Sequence, residues 1–244
     1  MRRAVLKDAM KRTAAAALSA SLRRELAGVA LADKAAGMQA YMKSTMPYLG
    51  VSSVPLRQVC KRVFASHPMT DAASWRRDVL ELWRGAHHRE ERYGAIELSG
   101  DKRARAFQTL AAVPMYEEMI VTGAWWDYVD AIATHRLDLI LRAEPRAMKK
   151  TMLAWSRSDN LWKRRSAILC QITFKADTDL DLLYRVIEPS LDSKLFFLRK
   201  AIGWALRQYA WTDPREVMRY AREHRDDLSP LSRREALKNM ATAR

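Results

Sequence analysis

Apolar residues recur along almost the whole chain at intervals of three and four positions, which is the spacing of an amphipathic α-helix. No stretch alternates cleanly between apolar and polar residues, so the pattern predicts no strand. With ends placed to within about two to four residues, the predicted helices cover 13–30, 33–45, 55–66, 71–85, 88–98, 101–112, 114–121, 124–141, 145–157, 160–174, 178–188, 193–210, 214–224 and 230–240.

Particular residues mark the expected beginnings of several helices. A proline loses no hydrogen bond in a first turn, and first-turn positions are expected for Pro55, Pro114, Pro145 and Pro214. Short polar side chains accept hydrogen bonds from the first backbone N–H groups of a helix. By this criterion N-caps are expected at Asp71, at Asp159 or Asn160, and at Asp213.

The helices are short, follow one another without strands and are joined by brief connections. That order is typical of stacked antiparallel helix pairs, as in an α-solenoid of HEAT-like units. A solenoid of this kind would present a concave face, and we expect that face to be basic. No linker rich in Gly, Pro or Ser divides the chain, so we expect residues 1–244 to form a single domain.

The balance of charge indicates a polyanionic partner. The chain has 43 Lys and Arg against 28 Asp and Glu, for a formal net charge of +15. Residues 1–60 contain 10 basic and 3 acidic side chains, residues 61–159 contain 16 and 14, and residues 160–244 contain 17 and 11. Basic ends around a nearly neutral middle suit a nucleic acid held at two places. The alternative is a basic surface that serves only solubility.

Several classes of protein are excluded or disfavoured. Cys60 and Cys170 are too few for a disulfide framework or a four-cysteine zinc site, and no spacing of ligands predicts a metal or cofactor site. No apolar run reaches the roughly 18 residues of a membrane span. Residues 1–28 resemble a weak signal peptide, but the charged residues 23–25 follow the Ala-rich stretch. We therefore expect a helix of a cytoplasmic protein.

The segment 123–130 places aromatic and acidic side chains together. Trp126 and Asp130 are four residues apart and share one face of a helix. The ordinary interpretation is that Trp126 fills a core and that Asp130 is solvated or caps a helix. The acidic pairs Glu90–Glu91 and Glu117–Glu118 are expected on solvated helix faces.

Two further segments combine aromatic and basic residues. In segment 160–168, three consecutive cations from Lys163 to Arg165 follow a cap and a tryptophan, which is a weak phosphate-binding pattern. In segment 196–209, Gly203 lies inside a helix, where it costs about 1 kcal/mol relative to alanine. That cost indicates close approach of another backbone, either a helix or DNA.

Taken together, these segments resemble the DNA alkylation repair glycosylases of the AlkD type, a family of HEAT-like repeat proteins. The resemblance runs over most of the chain, and its motifs occur in the family's order. They are Ala40-Tyr41-Met42-Lys43, Tyr48-Leu49-Gly50-Val51 with Pro55, Trp125-Trp126-Asp127-Tyr128-Val129-Asp130, Trp162-Lys163-Arg164-Arg165 and Lys200-Ala201-Ile202-Gly203-Trp204-Ala205-Leu206-Arg207. The stretch before Pro55 departs from the family's pattern, with an extra residue and with Ser52 or Ser53 where a longer polar residue is usual.

The resemblance implies a role for particular residues. The family's catalytic aspartate falls on Asp130, its two lesion-facing tryptophans on Trp126 and Trp204, and its active-site arginine on Arg165. The residues expected to bind DNA are Tyr41, Lys43, Lys163, Arg164, Arg199, Lys200 and Arg207.

The implied activity is hydrolysis of the N-glycosidic bond of N3- or N7-alkylated purines in duplex DNA, bulky adducts included. Lys43 and Lys200 have no visible activating neighbour for a Schiff base, so we expect a monofunctional enzyme. It would act as a monomer, without a cofactor, in the bacterial cytosol or nucleoid. The alternatives are a noncatalytic HEAT-repeat protein that binds DNA and a protein-interaction scaffold.

Overall fold

The computed structural model describes the backbone of residues 2–240 and the side chains of residues 15–240. Within this part of the chain all regular structure is helical and no strand occurs. The α-helices are α1 (Arg2–Ala27), α2 (Ala32–Tyr41), α3 (Ser53–Ala65), α4 (Ala72–Arg84), α5 (Arg89–Ser99), α6 (Val113–Gly123), α7 (Trp126–Ile132), α8 (Asp138–Ala143), α9 (Pro145–Ser156), α10 (Leu161–Leu169), α11 (Leu180–Ile187), α12 (Phe196–Ala210), α13 (Pro214–Glu223) and α14 (Pro230–Leu237). The prediction of an all-helical, solenoid-type fold is confirmed.

Four predicted helices differ from the observed ones by more than the expected error of about two to four residues. The predicted helix 13–30 begins already at Arg2, and the predicted helix 160–174 ends at Leu169. The predicted helix 124–141 is interrupted by a π-turn at Ala133–Leu137, which separates α7 from α8. The predicted helix 101–112 consists of two 3₁₀ turns, Lys102–Phe107 and Leu110–Ala112. In the first of these turns the Arg103 guanidinium donates hydrogen bonds to the carbonyl oxygens of Phe64 and His67. These contacts fix the segment against the end of α3.

The predicted N-caps are confirmed. The side chain of Asp71 accepts from the amide of Ser74 at 2.7 Å, and Asp213 caps α13 in the same way. Of the two alternatives for α10, Asn160 is the cap. Pro114, Pro145 and Pro214 lie at the start of their helices, as predicted. Pro55 is the third residue of α3 and so also lies in a first turn.

The chain divides into two compact units, Met1–Phe107 and Gln108–Arg244. The first unit packs α1 against α3, α4 and α5. Leu22 and Leu26 of α1 are fully buried, and Trp75 and Trp83 of α4 are each only 1% exposed. The single-domain interpretation stays a prediction.

The expectation that Glu90 lies on a solvated face is wrong. Its side chain is fully buried and accepts hydrogen bonds from the backbone amides of Leu49, Gly50 and Val51 at 2.9–3.1 Å. A carboxylate tolerates burial when several N–H groups satisfy its oxygens. Glu90 therefore anchors the loop that leads into α3.

Glu91 is also buried, which contradicts the same expectation. It accepts from the backbone amide of His88 at 3.1 Å, in a capping arrangement at the start of α5. Its other oxygen forms an ion pair with Arg23 of α1 at 2.8 Å. Glu90 and Glu91 thus connect α5 to the loop before α3 and to α1, although two adjacent acids in a helix usually lie on a solvated face.

The second unit is organised around α12, which packs against α10, α13 and α14. Gly203 provides the close approach that its mid-helix position predicts. A Cβ at this position would lie 2.8 Å from the carbonyl oxygen of Ser232 and would also overlap Glu235, both on α14. The neighbouring backbone is therefore a helix. No helix in the described part of the chain is long and apolar enough to cross a membrane.

Candidate active site

A buried acid–base pair joins α7 to α10. The Arg165 guanidinium donates from Nε to Oδ1 of Asp130 at 2.7 Å and from Nη2 to Oδ2 at 2.8 Å. Its third nitrogen donates to the carbonyl oxygen of Phe197 at 2.6 Å. All three contacts are charge-assisted, and the two-pronged pairing fixes the plane of the carboxylate as well as its position.

Local structure explains how the two side chains meet. Ala124 ends α6 in the left-handed conformation, with φ 43° and ψ 39°, and the chain then reverses into α7. Asn160 caps α10 by accepting from the amides of Trp162 and Lys163. Arg165 therefore lies in the second turn of a helix whose start is well fixed.

The surroundings act on the Asp130 carboxyl in opposite directions. Burial raises its pKa, the Arg165 hydrogen bonds and charge lower it, and the charge of Asp127 raises it, with a net increase above the ordinary value. The Arg165 side chain is only 6% exposed, whereas the Asp130 side chain retains 15%. The Asp130 side chain is therefore mostly buried but keeps some access to solvent, more than its partner does.

A cluster of aromatic rings lies on the Arg165 side of the pair. Trp125, Trp162 and Phe197 contact one another with ring centroids 5.0–6.2 Å apart. The three rings come from the start of α7, from α10 and from α12, and the Arg165 guanidinium lies 5.9 Å from the centre of the Phe197 ring. The indole Nε1 of Trp125 is buried and has no hydrogen-bond partner among the described residues.

Trp126 is half-buried and is the first residue of α7, one turn before Asp130. It is absent from the buried core, so the structure does not place it as core filler. Its position on the helix of Asp130 brings the two predicted site residues to one face.

Trp204 lies on α12, away from the helix of Asp130, in a groove of its own. It is half-buried on the core of the second unit and lines a groove that also includes Thr134 and Trp211. Thr134 follows Asp130 by one turn, and its hydroxyl donates to the Asp130 carbonyl oxygen at 2.8 Å. The groove therefore begins one helical turn from the Asp130–Arg165 pair.

Several cations expected to bind DNA have partners inside the protein. Lys163 donates to Glu117 at 2.6 Å, and its ammonium lies 5.3 Å from the centre of the Trp155 ring. The guanidinium of Arg164 donates to the Ser190 hydroxyl and to the Pro189 carbonyl oxygen.

The cations of α12 are also engaged. Lys200 and Arg207 share Glu235 of α14, at 3.0 Å and 2.5 Å respectively. Arg199 donates to the Ser193 carbonyl oxygen at 2.8 Å. These pairs support the packing of α12 and reduce the positive charge that α12 presents.

In the first unit, Tyr41 and Lys43 are exposed at the end of α2. The Tyr41 side chain is 76% exposed, and Lys43 has a left-handed backbone with φ 48°. Sequence reasoning missed Phe197, because its contribution is a backbone carbonyl that every residue type possesses. Among the described side chains, no group of three or more His, Cys, Asp or Glu could hold a metal ion.

The described part of the chain is thus a helical protein with a buried carboxylate–guanidinium pair and with half-buried indoles on the neighbouring helices. The family model for the DNA alkylation repair enzyme matches residues 22–240, so the chain belongs to that family. A solved structure, described as a predicted DNA alkylation repair enzyme from Enterococcus faecalis, is similar. It shares 29% sequence identity, with a TM-score of 0.72, over 87% of this chain and 97% of that one. No curated protein matches the chain.

Proposed function

We propose that this protein is a monofunctional DNA glycosylase that hydrolyses the N-glycosidic bond of cationic N3- or N7-alkylated purines in duplex DNA. The observation that supports this most is the Asp130 carboxylate, which a buried Arg165 holds in place while the Asp130 side chain keeps 15% of its surface exposed. A protein that only bound phosphates would gain nothing from an acid in that position, because the acid would repel them.

Asp130 would supply the electrostatic part of catalysis. An alkylated purine already carries positive charge and leaves as a neutral base, so the leaving group needs little protonation. Positive charge then develops on the deoxyribose in the transition state, as in other glycosyl transfers. A fixed carboxylate stabilises that charge in a low-dielectric site and can orient the attacking water.

Arg165 would act as a positioning residue. Its guanidinium occupies one lone-pair direction on each Asp130 oxygen, and each oxygen retains capacity for another contact. The pair also opposes the effect of burial, which would otherwise favour the neutral acid. Arg165 thereby favours the charged form of the carboxylate and fixes its orientation.

Trp126 and Trp204 would select the charged base. The electron-rich face of an indole attracts a cation by about 0.5–2 kcal/mol, and a neutral lesion would lose that contribution. If the base stays largely in the duplex, bulky adducts are accepted as well. Thr134, whose hydroxyl donates to the Asp130 carbonyl oxygen, lines the same groove as Trp204 and so supports a common site for Asp130 and Trp204.

Binding to duplex DNA would draw on the exposed Tyr41 and Lys43, and on Lys163, Arg164, Arg199, Lys200 and Arg207. The last five already have internal partners, so each would share its charge with a phosphate rather than supply a free cation. We propose a monomer that needs no cofactor and acts in the cytosol, where bacterial DNA lies.

Chromatography of the bases released from alkylated duplexes tests the proposal. Asp130→Asn preserves shape and removes charge, so base release per folded molecule should fall by about 10–1000-fold, while duplex affinity is kept. Asp127→Asn is the matched control on the same helix and should lose far less. Equal losses in both variants would remove Asp130 from the mechanism. Salt-dependent duplex binding without any base release would instead favour the noncatalytic alternative.

A further inference from the structure

Three aromatic residues form one stripe along α12. Phe197, Trp204 and Trp211 are spaced by seven residues, which returns the helix to almost the same face after two turns. Trp211 keeps a helical backbone at the C-cap, with φ −68° and ψ −21°. The stripe begins at Phe197, whose carbonyl oxygen accepts from Arg165, and ends at Trp211.

Trp211 is the exposed end of this stripe. Its side chain is 70% exposed, which is unusual for a tryptophan that has an adjacent groove to fill. The groove has a volume of about 630 Å³ and includes Trp204 and Trp211, with Ile172 between polar side chains. Nothing in the fold of the second unit requires an indole at this exposed position.

The charge of the groove suits a polyanion. No carboxylate lines its described part, and Lys175 at its edge is exposed and forms no ion pair with any described residue. Lys175 also has a left-handed backbone with φ 55°, a conformation that costs a non-glycine residue about 1–3 kcal/mol. By contrast, the groove beside Lys194 is lined by four carboxylates: Glu188, Asp192, Asp226 and Asp227.

We infer that the groove between Trp204 and Trp211 holds the sugar–phosphate backbone of the DNA strand next to the lesion. The Trp211 indole packs on a deoxyribose, and Lys175 contacts a phosphate. This inference rests on the proposed function, because it takes Trp204 as the lesion end of the groove.

The distance along α12 limits how far this contact reaches. Seven residues of helix span about 10 Å, and duplex DNA rises about 3.4 Å per base pair. Trp211 therefore contacts the strand at most about three base pairs from the lesion. The contact lies on one side of the lesion only.

Fluorescence anisotropy with undamaged duplex, and with the same duplex containing one N7-methylguanine, tests the inference. Trp211→Ala should raise the Kd for both duplexes by about five- to thirtyfold, as expected when an aromatic residue buried in an interface is truncated. Lys175→Gln should lower the magnitude of the log–log salt slope by about 0.9. The matched controls are Met218→Ala, an exposed apolar residue of α13, and Lys194→Gln in the acidic groove.

Shortening the duplex arms locates the contact. In the duplex with N7-methylguanine, where the lesion defines two arms, the ratio of the Trp211→Ala Kd to the wild-type Kd should fall to one when one arm is cut below about three base pairs. The ratio should not respond to the length of the other arm. A wild-type Kd for Trp211→Ala, a ratio indifferent to both arms, or an equal loss in Met218→Ala would each overturn the inference. The Kd values for undamaged duplex involve no chemistry, so a loss of affinity there is separate from base release. A failure of base release alone would instead refute the glycosylase.

Discussion

The contact between Arg165 and Asp130 predicts a loss of stability whose size depends on pH. Arg165→Gln removes a guanidinium that is 6% exposed and leaves a carboxylate that is 15% exposed without its charged partner. The Phe197 carbonyl oxygen loses its 2.6 Å hydrogen bond as well. Breaking a buried ion pair from one side costs about 3–5 kcal/mol. At neutral pH we expect a decrease of this size in the free energy of unfolding.

The sign of the pH dependence follows from the pKa of Asp130. Burial already raises this pKa above its ordinary value, and removing the Arg165 hydrogen bonds and charge raises it further. Between the pKa of Asp130 in the unfolded chain and its higher pKa in the folded variant, the folded variant binds a proton that the unfolded chain does not. Its deficit in stability is therefore full above the raised pKa and shrinks as the pH falls through it.

Arg164→Gln is the matched control, since the two arginines are adjacent on α10. The Arg164 partners are neutral, the Ser190 hydroxyl and the Pro189 carbonyl oxygen. Its loss should cost about 1–3 kcal/mol, with no dependence on pH through Asp130. Urea unfolding at about pH 5 and about pH 8, monitored by the circular dichroism of the helices, gives the free energy of unfolding of both variants.

Base release provides the second measurement on the same variants. The Asp130 carboxylate must be charged, so the rate falls at acidic pH, and Arg165→Gln should move this decline to higher pH. A loss below about 1 kcal/mol in Arg165→Gln, or equal pH dependence in both variants, would refute the account of the buried pair.

Three more predictions follow from particular contacts. Gly203→Ala should destabilise the protein by about 1–3 kcal/mol, because its Cβ would overlap α14. Gly37→Ala, with open space around the new Cβ, should stabilise the protein by about 0.5–1 kcal/mol. Urea unfolding measures the free energy of unfolding of both variants. Glu90→Ala leaves three backbone N–H groups without their acceptor and should lower the melting temperature by several degrees. Asp127→Asn removes a charge that raises the pKa of Asp130, so the acidic decline of base release should move to lower pH.

The helical fold is predictable from the sequence because its signals are local. The apolar period, the caps and most of the first-turn prolines act within a few residues, and they place most helices to within a turn. The segment 101–112 escapes this reasoning, since Arg103 is held by carbonyl groups of a different helix. Glu90 is missed for the same reason: its three donors lie some forty residues earlier in the chain.

The site is only partly predictable. Spacing places Trp126 and Asp130 on one helix face. The contact of Asp130 with Arg165 is not predictable in this way, because these two residues are 35 positions apart in the sequence. Only the resemblance to a family brings those two positions together in advance. Gly203 is an intermediate case, since its cost in a helix predicts a close neighbour without saying that the neighbour is α14.

The net charge also needs the structure to be interpreted. A charge of +15 indicates a polyanionic partner, yet five of the cations expected to bind it are held by internal partners. Left-handed backbone identifies two others. Among the described residues, Lys43, Ala124 and Lys175 are the non-glycine residues with positive φ, and both lysines are exposed. A strained conformation persists only where the surrounding structure enforces it. Lys43 in the first unit and Lys175 in the second are therefore exposed lysines on a constrained backbone, and both belong to the phosphate contacts proposed above.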